Sequence, residues 1–205
     1  MSKTSHIAID RLNAVLEEPL DVNDRIIQGR VEVFENTPTR MQKNDEAKTQ
    51  EDDRNQKRRP EEEPSEALTD FMNVALGLCF ADYDFSGEPA SSYVATTPEA
   101  AIGLIEQHVC IPLSSIIPHF SRQLWDALNG EFSIAQADFV YTYNSDAIED
   151  YEDMLFSLFL FFVSRSTKKT VFVQAITRRK PFPKDALSGQ HSQMLDCVYR
   201  DIYER

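Results

Sequence analysis

The segment Phe156-Ser-Leu-Phe-Leu-Phe-Phe-Val163 is followed by a polar stretch, Ser164-Arg-Ser-Thr-Lys-Lys169, and by a second apolar segment, Thr170-Val-Phe-Val173. This pattern predicts a β-hairpin. Its first strand is apolar on both faces, whereas a strand that alternates apolar and polar residues buries one face only. We therefore expect the hairpin to lie at the centre of a sheet that other layers cover above and below.

Two amphipathic patterns near the start of the chain add a helix and a strand. Residues 4–17 predict a helix with four apolar residues on one side: Ile7, Leu12, Val15 and Leu16. Residues 25–34 alternate between apolar and polar side chains. The apolar set is Ile27, Val31 and Val33, and the polar set on the other face is Gln28, Arg30 and Glu32. Such alternation predicts a strand with one solvent-facing side, near a sheet edge.

Further elements are predicted between this strand and the hairpin, and after the hairpin. A helix over 66–80 has an apolar stripe of Phe71, Val74, Ala75 and Leu78, with Ser65 in position to cap it. Residues 97–107 and 112–129 predict helices interrupted by prolines, with core anchors at Leu124, Trp125 and Leu128. A strand over 132–143 places three rings on one face: Phe139, Tyr141 and Tyr143. An amphipathic helix from about Gln190 to Tyr203 is built on Met194, Val198 and Ile202.

The order of these elements predicts a single α/β domain, a mostly antiparallel β-sheet covered by helices on both faces. A long charged insertion interrupts it, because 35–67 contain no Val, Ile, Leu, Phe, Tyr or Trp. Such a segment cannot offset a backbone ordering cost of about 1–2 kcal/mol per residue, so we expect it to be disordered. The chain therefore divides into domain residues 1–35 and 67–180, a linker at 36–66 and a helical extension at 181–205.

Composition narrows the class of partner. The 205 residues carry a net charge of −13, which disfavours direct binding to a phosphate backbone and favours contact with basic protein surfaces. Three cysteines are too few for a disulfide framework or zinc cluster, and the sequence shows neither a signal peptide nor a membrane-spanning segment. We expect a monomer in a reducing compartment that binds neither nucleic acid nor membrane.

Few residues in the sequence suggest catalysis or metal binding. Asp82 and Asp84 have the Asp-x-Asp spacing of some divalent-metal sites. The alternative is that Tyr83 and Phe85 anchor the chain to the core while the aspartates face solvent or cap backbone amides. His108 and Cys110 are the one close His/Cys pair, and a zinc site needs more ligands than that. No phosphate-binding loop or nucleophile elbow is present. We expect neither catalysis nor a cofactor.

Four blocks in order carry a resemblance to a known family: Ile9-Asp-Arg-Leu-Asn-Ala-Val-Leu16, Ala81-Asp-Tyr-Asp-Phe-Ser86, Gln123-Leu-Trp-Asp-Ala-Leu128 leading to Phe139-Val-Tyr-Thr-Tyr-Asn-Ser-Asp146, and Leu155-Phe-Ser-Leu-Phe-Leu-Phe-Phe-Val163. Together they resemble the Maf-one family, the eukaryotic repressors of RNA polymerase III transcription, over about residues 7–35 and 68–177. Within the blocks, eight residues match the family's motifs: Asp82, Tyr83, Asp84, Phe85, Ser86, Tyr141, Tyr143 and Asn144.

The resemblance implies a repressor that binds the clamp region of the polymerase and prevents its recruitment to promoters loaded with the initiation factor TFIIIB. It also implies shuttling between nucleus and cytoplasm and control by protein kinases and phosphatases under nutrient or stress signals. The linker has four candidate phosphorylation sites: Thr37, Thr39, Thr49 and Ser65. Its basic run Lys57, Arg58 and Arg59 is a candidate nuclear-import signal. An acidic loop is a candidate contact with the polymerase: Asp146, Glu149, Asp150, Glu152 and Asp153.

The sequence departs from the family in the hairpin and at the C-terminus. Phe156 and Phe159 stand where the family motif has Trp and Asn, so one aromatic anchor is kept and one buried amide is lost. The family's acidic C-terminal tail is replaced by the apparent amphipathic helix. Two other functions stay open at this point: a ligand-sensing or scaffold domain without a polymerase role, and a metal-dependent enzyme that uses Asp82 and Asp84.

Overall fold

The described residues form an antiparallel seven-stranded sheet between two unequal layers of helices. The computed structural model describes residues 2–3, 6–35, 63–144 and 153–180. The strands are β1 (Ser2–Lys3), β2 (Leu20–Val22), β3 (Arg25–Glu35), β4 (Tyr93–Thr96), β5 (Phe139–Tyr143), β6 (Met154–Ser164) and β7 (Lys169–Arg179). The α-helices are α1 (Ile7–Leu16), α2 (Glu66–Cys79), α3 (Pro98–Ile105), α4 (Ile111–Ser114) and α5 (Phe120–Asn129).

The β6–β7 hairpin lies at the centre of the sheet, as its sequence predicts. The strand order is β1-β3-β7-β6-β5-β4, with β2 also paired to β3. Within β6 the side chains alternate between two hydrophobic cores: Leu158, Leu160 and Phe162 enter the first, and Phe159 and Phe161 enter the second. A strand that is apolar on both faces is thus covered on both faces.

Different helices form the two layers. The first core lies between the sheet and helices α1, α3, α4 and α5, with Leu12, Ile105, Leu113 and Leu124 among its buried residues. The second core lies between the sheet and α2, and it is rich in aromatic rings. The predicted α/β class, with helices on both faces of an antiparallel sheet, is confirmed.

Strand β3 lies beside the sheet edge. It pairs with β7 from Arg25 to Glu35, while among the described residues its outer side pairs only with the short strands β1 and β2 at its two ends. Between them, the amide of Asn13 on α1 bonds the Val31 backbone twice. The Val31 N–H donates to Asn13 Oδ1 at 2.8 Å, and Asn13 Nδ2 donates to the Val31 carbonyl at 2.7 Å. A side-chain amide therefore stands in for a neighbouring strand.

The polar face predicted for β3 is less exposed than expected. Glu32 is buried, at 2% exposure, and its carboxylate accepts a hydrogen bond from Arg30 Nε. Arg30 also lies 3.2 Å from a carboxylate oxygen of Glu17. A buried charge needs a paired, hydrogen-bonded partner, and Arg30 supplies it from the same strand face.

Two helical stripes differ from those predicted. In α1 the buried residues are Ile9, Leu12, Asn13 and Leu16, while Ile7 and Val15 are exposed. In α2 the buried residues are Thr69, Met72, Asn73, Ala75 and Leu76, whereas Val74 and Leu78 are 53% and 60% exposed. The predicted stripes fail because each helix has apolar residues on two adjacent faces, and periodicity alone does not say which face meets the sheet.

The helix boundaries around the prolines also differ. Helix α3 runs through a π-helical turn, Glu106–Cys110, directly into α4, so the chain continues past Pro112, which lies in the first turn of α4. The break beside Pro118 agrees with the prediction, since the next residue, His119, has a φ of 61° and precedes α5. Strand β5 begins at Phe139, not at 132, because 134–136 form a 3₁₀ turn.

Three predictions fall outside the described residues and stay predictions. They are the disorder of the linker over 36–62, the acidic loop over 145–152 and the amphipathic helix within 181–205.

The close approach of β3 and β7 predicts a strict requirement for glycine at position 29. A Cβ built on Gly29 would lie 2.8 Å from the carbonyl oxygen of Gln174, a backbone atom that cannot move aside cheaply. We expect Gly29→Ala to lower the free energy of unfolding by about 1–3 kcal/mol, measured by urea denaturation. The matched control is Gly103→Ala in α3, where the Cβ meets nothing within 4 Å and helix propensity favours alanine. Equal stability of the two variants would contradict the packing of β3 on β7.

Candidate protein-interaction surface

The outer face of α2 carries apolar residues that nothing in the described structure covers. Met72, Ala75 and Leu76 hold the helix against the sheet. On the opposite side Val74 and Leu78 lie one turn apart and are mostly exposed. This exposed aliphatic pair makes the outer face of α2 a candidate contact surface for another protein.

The Asp82–Ser86 turn lies beside this face. Phe85 is buried, with its ring 5.9 Å from that of Phe80 and 6.0 Å from that of Tyr143. Tyr83 packs against the same core and its ring makes an edge contact with Phe80. The two rings anchor the turn where α2 ends.

The aspartates of the turn point outward. Asp82 and Asp84 are exposed, and Asp84 Oδ1 accepts the backbone N–H of Ser86 at 2.9 Å. This hydrogen bond holds the pKa of the Asp84 carboxyl below its usual value. The arrangement is an Asx turn, which keeps Asp84 ionised and fixed in position. It matches the anchoring alternative for this motif.

Together α2 and the turn enclose a shallow groove, which we call the α2–turn surface. It is lined by Asp70, Asn73, Val74, Gly77, Tyr83, Asp84, Phe85 and Ser86. Leu78 and Asp82 border it as exposed neighbours in the chain.

A buried polar network fixes the geometry of this surface. Asn73 Nδ2 donates to the Glu88 carbonyl at 2.9 Å, and the Tyr93 hydroxyl donates to Asn73 Oδ1. Ser92 Oγ donates to the Glu88 carboxylate at 2.7 Å. Burial raises the pKa of the Tyr93 phenol well above its usual value. Because these bonds join α2 to the loop before β4, the groove is preorganised.

The motif residues on β5 lie beneath the same surface. Tyr141 and Tyr143 are buried in the second core, and the Tyr143 ring lies 5.3 Å from that of Tyr93. Asn144 is exposed, and its backbone N–H donates to the Ser92 carbonyl at 2.9 Å. Phe159, which stands where the family motif has Asn, fills this core with its ring 5.7 Å from Phe80. The lost amide is thus replaced by aromatic packing.

The charge of the α2–turn surface is uniformly negative. The exposed carboxylates of this surface and its border are Asp70, Asp82 and Asp84, and exposed Glu66 precedes them in the first turn of α2. The sequence contains no Lys or Arg between Arg59 and Arg122, so no cation of this segment neutralises them. A surface that combines exposed aliphatic groups with an acidic rim is complementary to a basic protein surface with an apolar centre.

Most other candidate residues are spread over the molecule or lie outside the described part of it. Of the acidic loop, Asp153 is exposed, and Asp146, Glu149, Asp150 and Glu152 are outside the described residues. Of the candidate phosphorylation sites, Ser65 is the exposed N-cap residue of α2, and its side chain makes no capping hydrogen bond. Thr37, Thr39 and Thr49 are outside the described residues, as are Lys57, Arg58 and Arg59.

The histidines and cysteines of the described residues do not converge on one site. Within 6–35, 63–144 and 153–180 no three His, Cys, Asp or Glu side chains are placed to hold a metal ion. His108 stacks on Phe156 with ring centroids 3.8 Å apart, and His6 Nδ1 lies 2.8 Å from a carboxylate oxygen of Glu131. Cys110 is fully buried in the first core. His108 and Cys110 therefore pack against other side chains, whereas His6 pairs with Glu131.

The sequence alone did not reveal the α2–turn surface. The apolar pattern of the sequence predicts Val74 and Leu78 on the core side of α2, and the Asn73–Tyr93 hydrogen bond joins residues 20 positions apart. The absence of Lys and Arg between Arg59 and Arg122 was the available signal. No helix in the described part of the chain is long and apolar enough to cross a membrane.

Comparisons with known proteins agree with the fold. A family model described as Maf1 regulator matches residues 27–174. The crystal structure of citrus MAF1 in space group P 31 2 1 has a TM-score of 0.60 at 18% sequence identity, covering 84% of this chain and 99% of that chain. The same protein in space group C 2 2 21 gives 0.58 at 19%, with coverage of 84% and 98%. No curated protein matches the sequence significantly.

The burial of Cys110 predicts a pH-dependent contribution to stability. Burial and the nearby Glu106 carboxylate raise the pKa of the Cys110 thiol to about 12, whereas an unfolded cysteine titrates near 8.5. The folded state therefore keeps a proton that the unfolded state loses. We expect the stability advantage of the wild type over Cys110→Ala to be constant below about pH 8 and to shrink by roughly 1 kcal/mol per pH unit above about pH 9.

Urea denaturation of both proteins from pH 7 to pH 10.5 measures this difference, and other titrating groups cancel in the comparison. Alkylation at pH 8 provides an independent check, because partly exposed Cys79 is expected to react before Cys110. A difference independent of pH, together with rapid alkylation of Cys110, would contradict the burial of the thiol.

Proposed function

Because this chain belongs to the Maf1 regulator family, we propose that it represses transcription by RNA polymerase III through direct binding to the polymerase. Its family is one of regulatory proteins and transcriptional repressors, not a known enzyme family. In this proposal the bound protein occupies the clamp region and prevents recruitment to promoters loaded with TFIIIB. The synthesis of tRNA and 5S rRNA then falls.

The observation that carries the proposal is the α2–turn surface. Exposed Val74 and Leu78 supply an apolar centre, and the carboxylates of Asp70, Asp82 and Asp84 supply a negative rim. A nucleic-acid-binding machine has basic protein surfaces, so opposite charge favours fast association with it. Repression by occupancy needs interface area and charge complementarity, and it needs no reactive group.

The same charge argues against repression through DNA. With a net charge of −13 and no Lys or Arg from 60 to 121, the domain is repelled by phosphates around the α2–turn surface. Competition for a protein surface is therefore the mechanism that the electrostatics favour. The acidic loop residues Asp146, Glu149, Asp150, Glu152 and Asp153 extend this contact in the proposal.

Phosphorylation is the proposed control, and Ser65 is the candidate site whose surroundings are described. A phosphate there would add a charge of about −1.5 to −2 at the start of α2, where a helix N-terminus stabilises anions. It would also increase the negative potential beside Asp70. Thr37, Thr39 and Thr49 remain candidates in the linker, where Thr37 precedes a proline and suits a proline-directed kinase.

Phosphopeptide mapping of the protein from growing and nutrient-starved cells tests this control. We expect changes in occupancy among the four candidate residues, and above all at Thr37, because Thr37 precedes Pro38 and suits a proline-directed kinase. Phosphorylation confined to other residues would contradict the assignment.

The proposal includes shuttling between cytoplasm and nucleus, with Lys57, Arg58 and Arg59 as the import signal. It also includes action as a monomer.

Transcription of a tRNA gene in nuclear extract, with purified full-length protein added, tests the repressor function. We expect dose-dependent inhibition and recovery of polymerase III subunits with the tagged protein.

A double variant, Asp70→Lys with Asp82→Lys, is expected to weaken binding to the polymerase about tenfold, because each exposed charge pair is worth about 0.2–1 kcal/mol and reversal turns attraction into repulsion. Leu78→Ala is expected to weaken it by a similar factor through lost apolar contact.

Matched controls lie on the opposite face of the sheet. Glu99→Lys reverses an exposed charge on α3, and Ile111→Ala removes a side chain on α4 that is 67% exposed. Both are expected to repress like the wild type, and melting temperatures check that every variant is folded. Absence of inhibition by the wild type would contradict the function, whereas full activity of the α2 variants would contradict only the surface.

A further inference from the structure

The groove of the α2–turn surface has two walls, and together they restrict the side chain that fits between them. One wall is a stripe of α2 at helical spacing: Asp70, Asn73, Val74 and Gly77. The other wall is the turn that follows α2: Tyr83, Asp84, Phe85 and Ser86. The cavity measures about 310 Å³, at the small end of the roughly 300–1,000 Å³ typical of ligand pockets. A groove of this size suits a long side chain of a partner protein.

Gly77 keeps the groove open. A Cβ built on this residue would meet no atom within 4 Å, so the space beside it is empty. Its φ is not positive, and a helical glycine costs up to about 1 kcal/mol relative to alanine. Neither the backbone nor the packing of the described residues requires glycine at this position. What the glycine does provide is the space of the groove.

Two carboxylates border that space. Asp70 on α2 and Asp84 in the turn are exposed and lie on opposite walls. The Asp84 carboxylate accepts the backbone N–H of Ser86, a neutral donor that leaves its charge in place. Among the described residues, no Lys, Arg or His pairs with either carboxylate. A cationic occupant would therefore meet one negative charge from each wall.

The remaining lining residues favour a guanidinium over an ammonium group. Tyr83 is partly exposed at the groove, and Phe80 and Phe85 contact its ring at centroid distances of 6.4 and 6.2 Å. Val74, which is 53% exposed, adds an aliphatic side chain to the α2 wall. The guanidinium of arginine is planar, stacks on aromatic rings and has five N–H donors, whereas the lysine ammonium is a strongly hydrated point charge. The combination of a ring, an aliphatic group and two carboxylates therefore matches arginine best.

We propose that this groove binds an arginine side chain of the partner protein, with the guanidinium beside Tyr83 and between Asp70 and Asp84, and with the aliphatic stem against Val74. The identity of the partner rests on the proposed function, whereas the preference for arginine rests on the walls of the groove. Arginine is one of the residue types that contribute most to binding at protein interfaces. This contact is therefore expected to anchor the complex.

Fluorescence polarisation with the full-length protein tests the preference directly. The probe is a short labelled peptide with one arginine between two leucines. Two matched peptides have lysine or citrulline in place of the arginine, and citrulline keeps the shape of arginine without its charge. We expect the arginine peptide to bind about tenfold more tightly than the citrulline peptide, because hydrogen bonds to charged groups are the stronger ones. The lysine peptide is expected to be several-fold weaker than the arginine peptide. Equal binding of all three peptides would overturn the proposal.

Gly77→Leu fills the groove without removing a side-chain contact. This variant is expected to lose binding of the arginine peptide and to keep or raise the melting temperature, since leucine has a higher helix propensity than glycine. Gly103→Leu in α3 is the matched control, because a Cβ there also meets nothing within 4 Å and the residue lies on the opposite face of the sheet. It is expected to bind like the wild type. Unchanged binding by Gly77→Leu would overturn the proposal.

Asp84→Asn removes one charge and keeps the shape of the side chain. It is expected to weaken binding of the arginine peptide several-fold and to leave the citrulline peptide unaffected, because only the arginine peptide makes a charge-assisted contact. An equal loss for both peptides would indicate a change in the turn itself and would contradict the placement of the guanidinium beside Asp84.

Recovery of polymerase III subunits with the same variants separates this inference from the proposed function. We expect Gly77→Leu to lower recovery about tenfold and Gly103→Leu to leave it unchanged. A wild-type protein that prefers the arginine peptide but recovers no polymerase would contradict the function and support the arginine groove. Equal recovery by Gly77→Leu and Gly103→Leu, together with equal binding of the three peptides, would overturn the groove and leave the function standing.

Discussion

The fold depends on one constraint: β6 has large apolar side chains on both of its faces. With Leu158, Leu160 and Phe162 on one side and Phe159 and Phe161 on the other, this strand cannot lie at an edge or face water. A single layer of helices would leave one set exposed. Hence α2, which the sheet separates in space from the other four α-helices, is required to close the second core. The surface proposed for binding is the outer side of this helix and the turn that follows it.

The two cores differ in composition, and this difference has a functional consequence. The first is mainly aliphatic and is covered by four α-helices, whereas the second is an assembly of rings under a single helix and a turn. Edge contacts such as Phe80–Tyr83 and Phe85–Tyr143 define orientations as well as burying area. The hydrogen bond between the Tyr93 hydroxyl and Asn73 further fixes the orientation of α2 on this core. A rigid layer of this kind presents Asp82 and Asp84 at fixed positions.

The sequence predicted the fold class well because the strongest signals are local. The two-faced hairpin, the alternation of β3 and the three rings of β5 each specify a strand without reference to the rest of the chain. The helix faces were harder to predict. In α2, Val74 and Leu78 fit an apolar stripe as well as Met72 and Leu76 do. Only the contact with the sheet shows that the stripe of Met72 and Leu76 is the buried one. The π turn at Glu106–Cys110 and the Asn73–Tyr93 link depend on tertiary contacts between distant residues, so no window of sequence contains them. The anchoring role of Tyr83 and Phe85 was predictable, whereas the groove beside them was not.

The paired hydrogen bonds of Asn13 also bear on how the molecule behaves at high concentration. The outer side of β3 between β1 and β2 would otherwise offer free backbone groups to a strand from a neighbouring molecule, the usual route to edge-to-edge aggregation. By occupying both groups of Val31, the Asn13 amide interrupts that row near its middle. The side chain of a helix residue therefore interrupts this edge of the sheet. Resistance to aggregation through the edge depends on Asn13, which lies outside the surface proposed for binding.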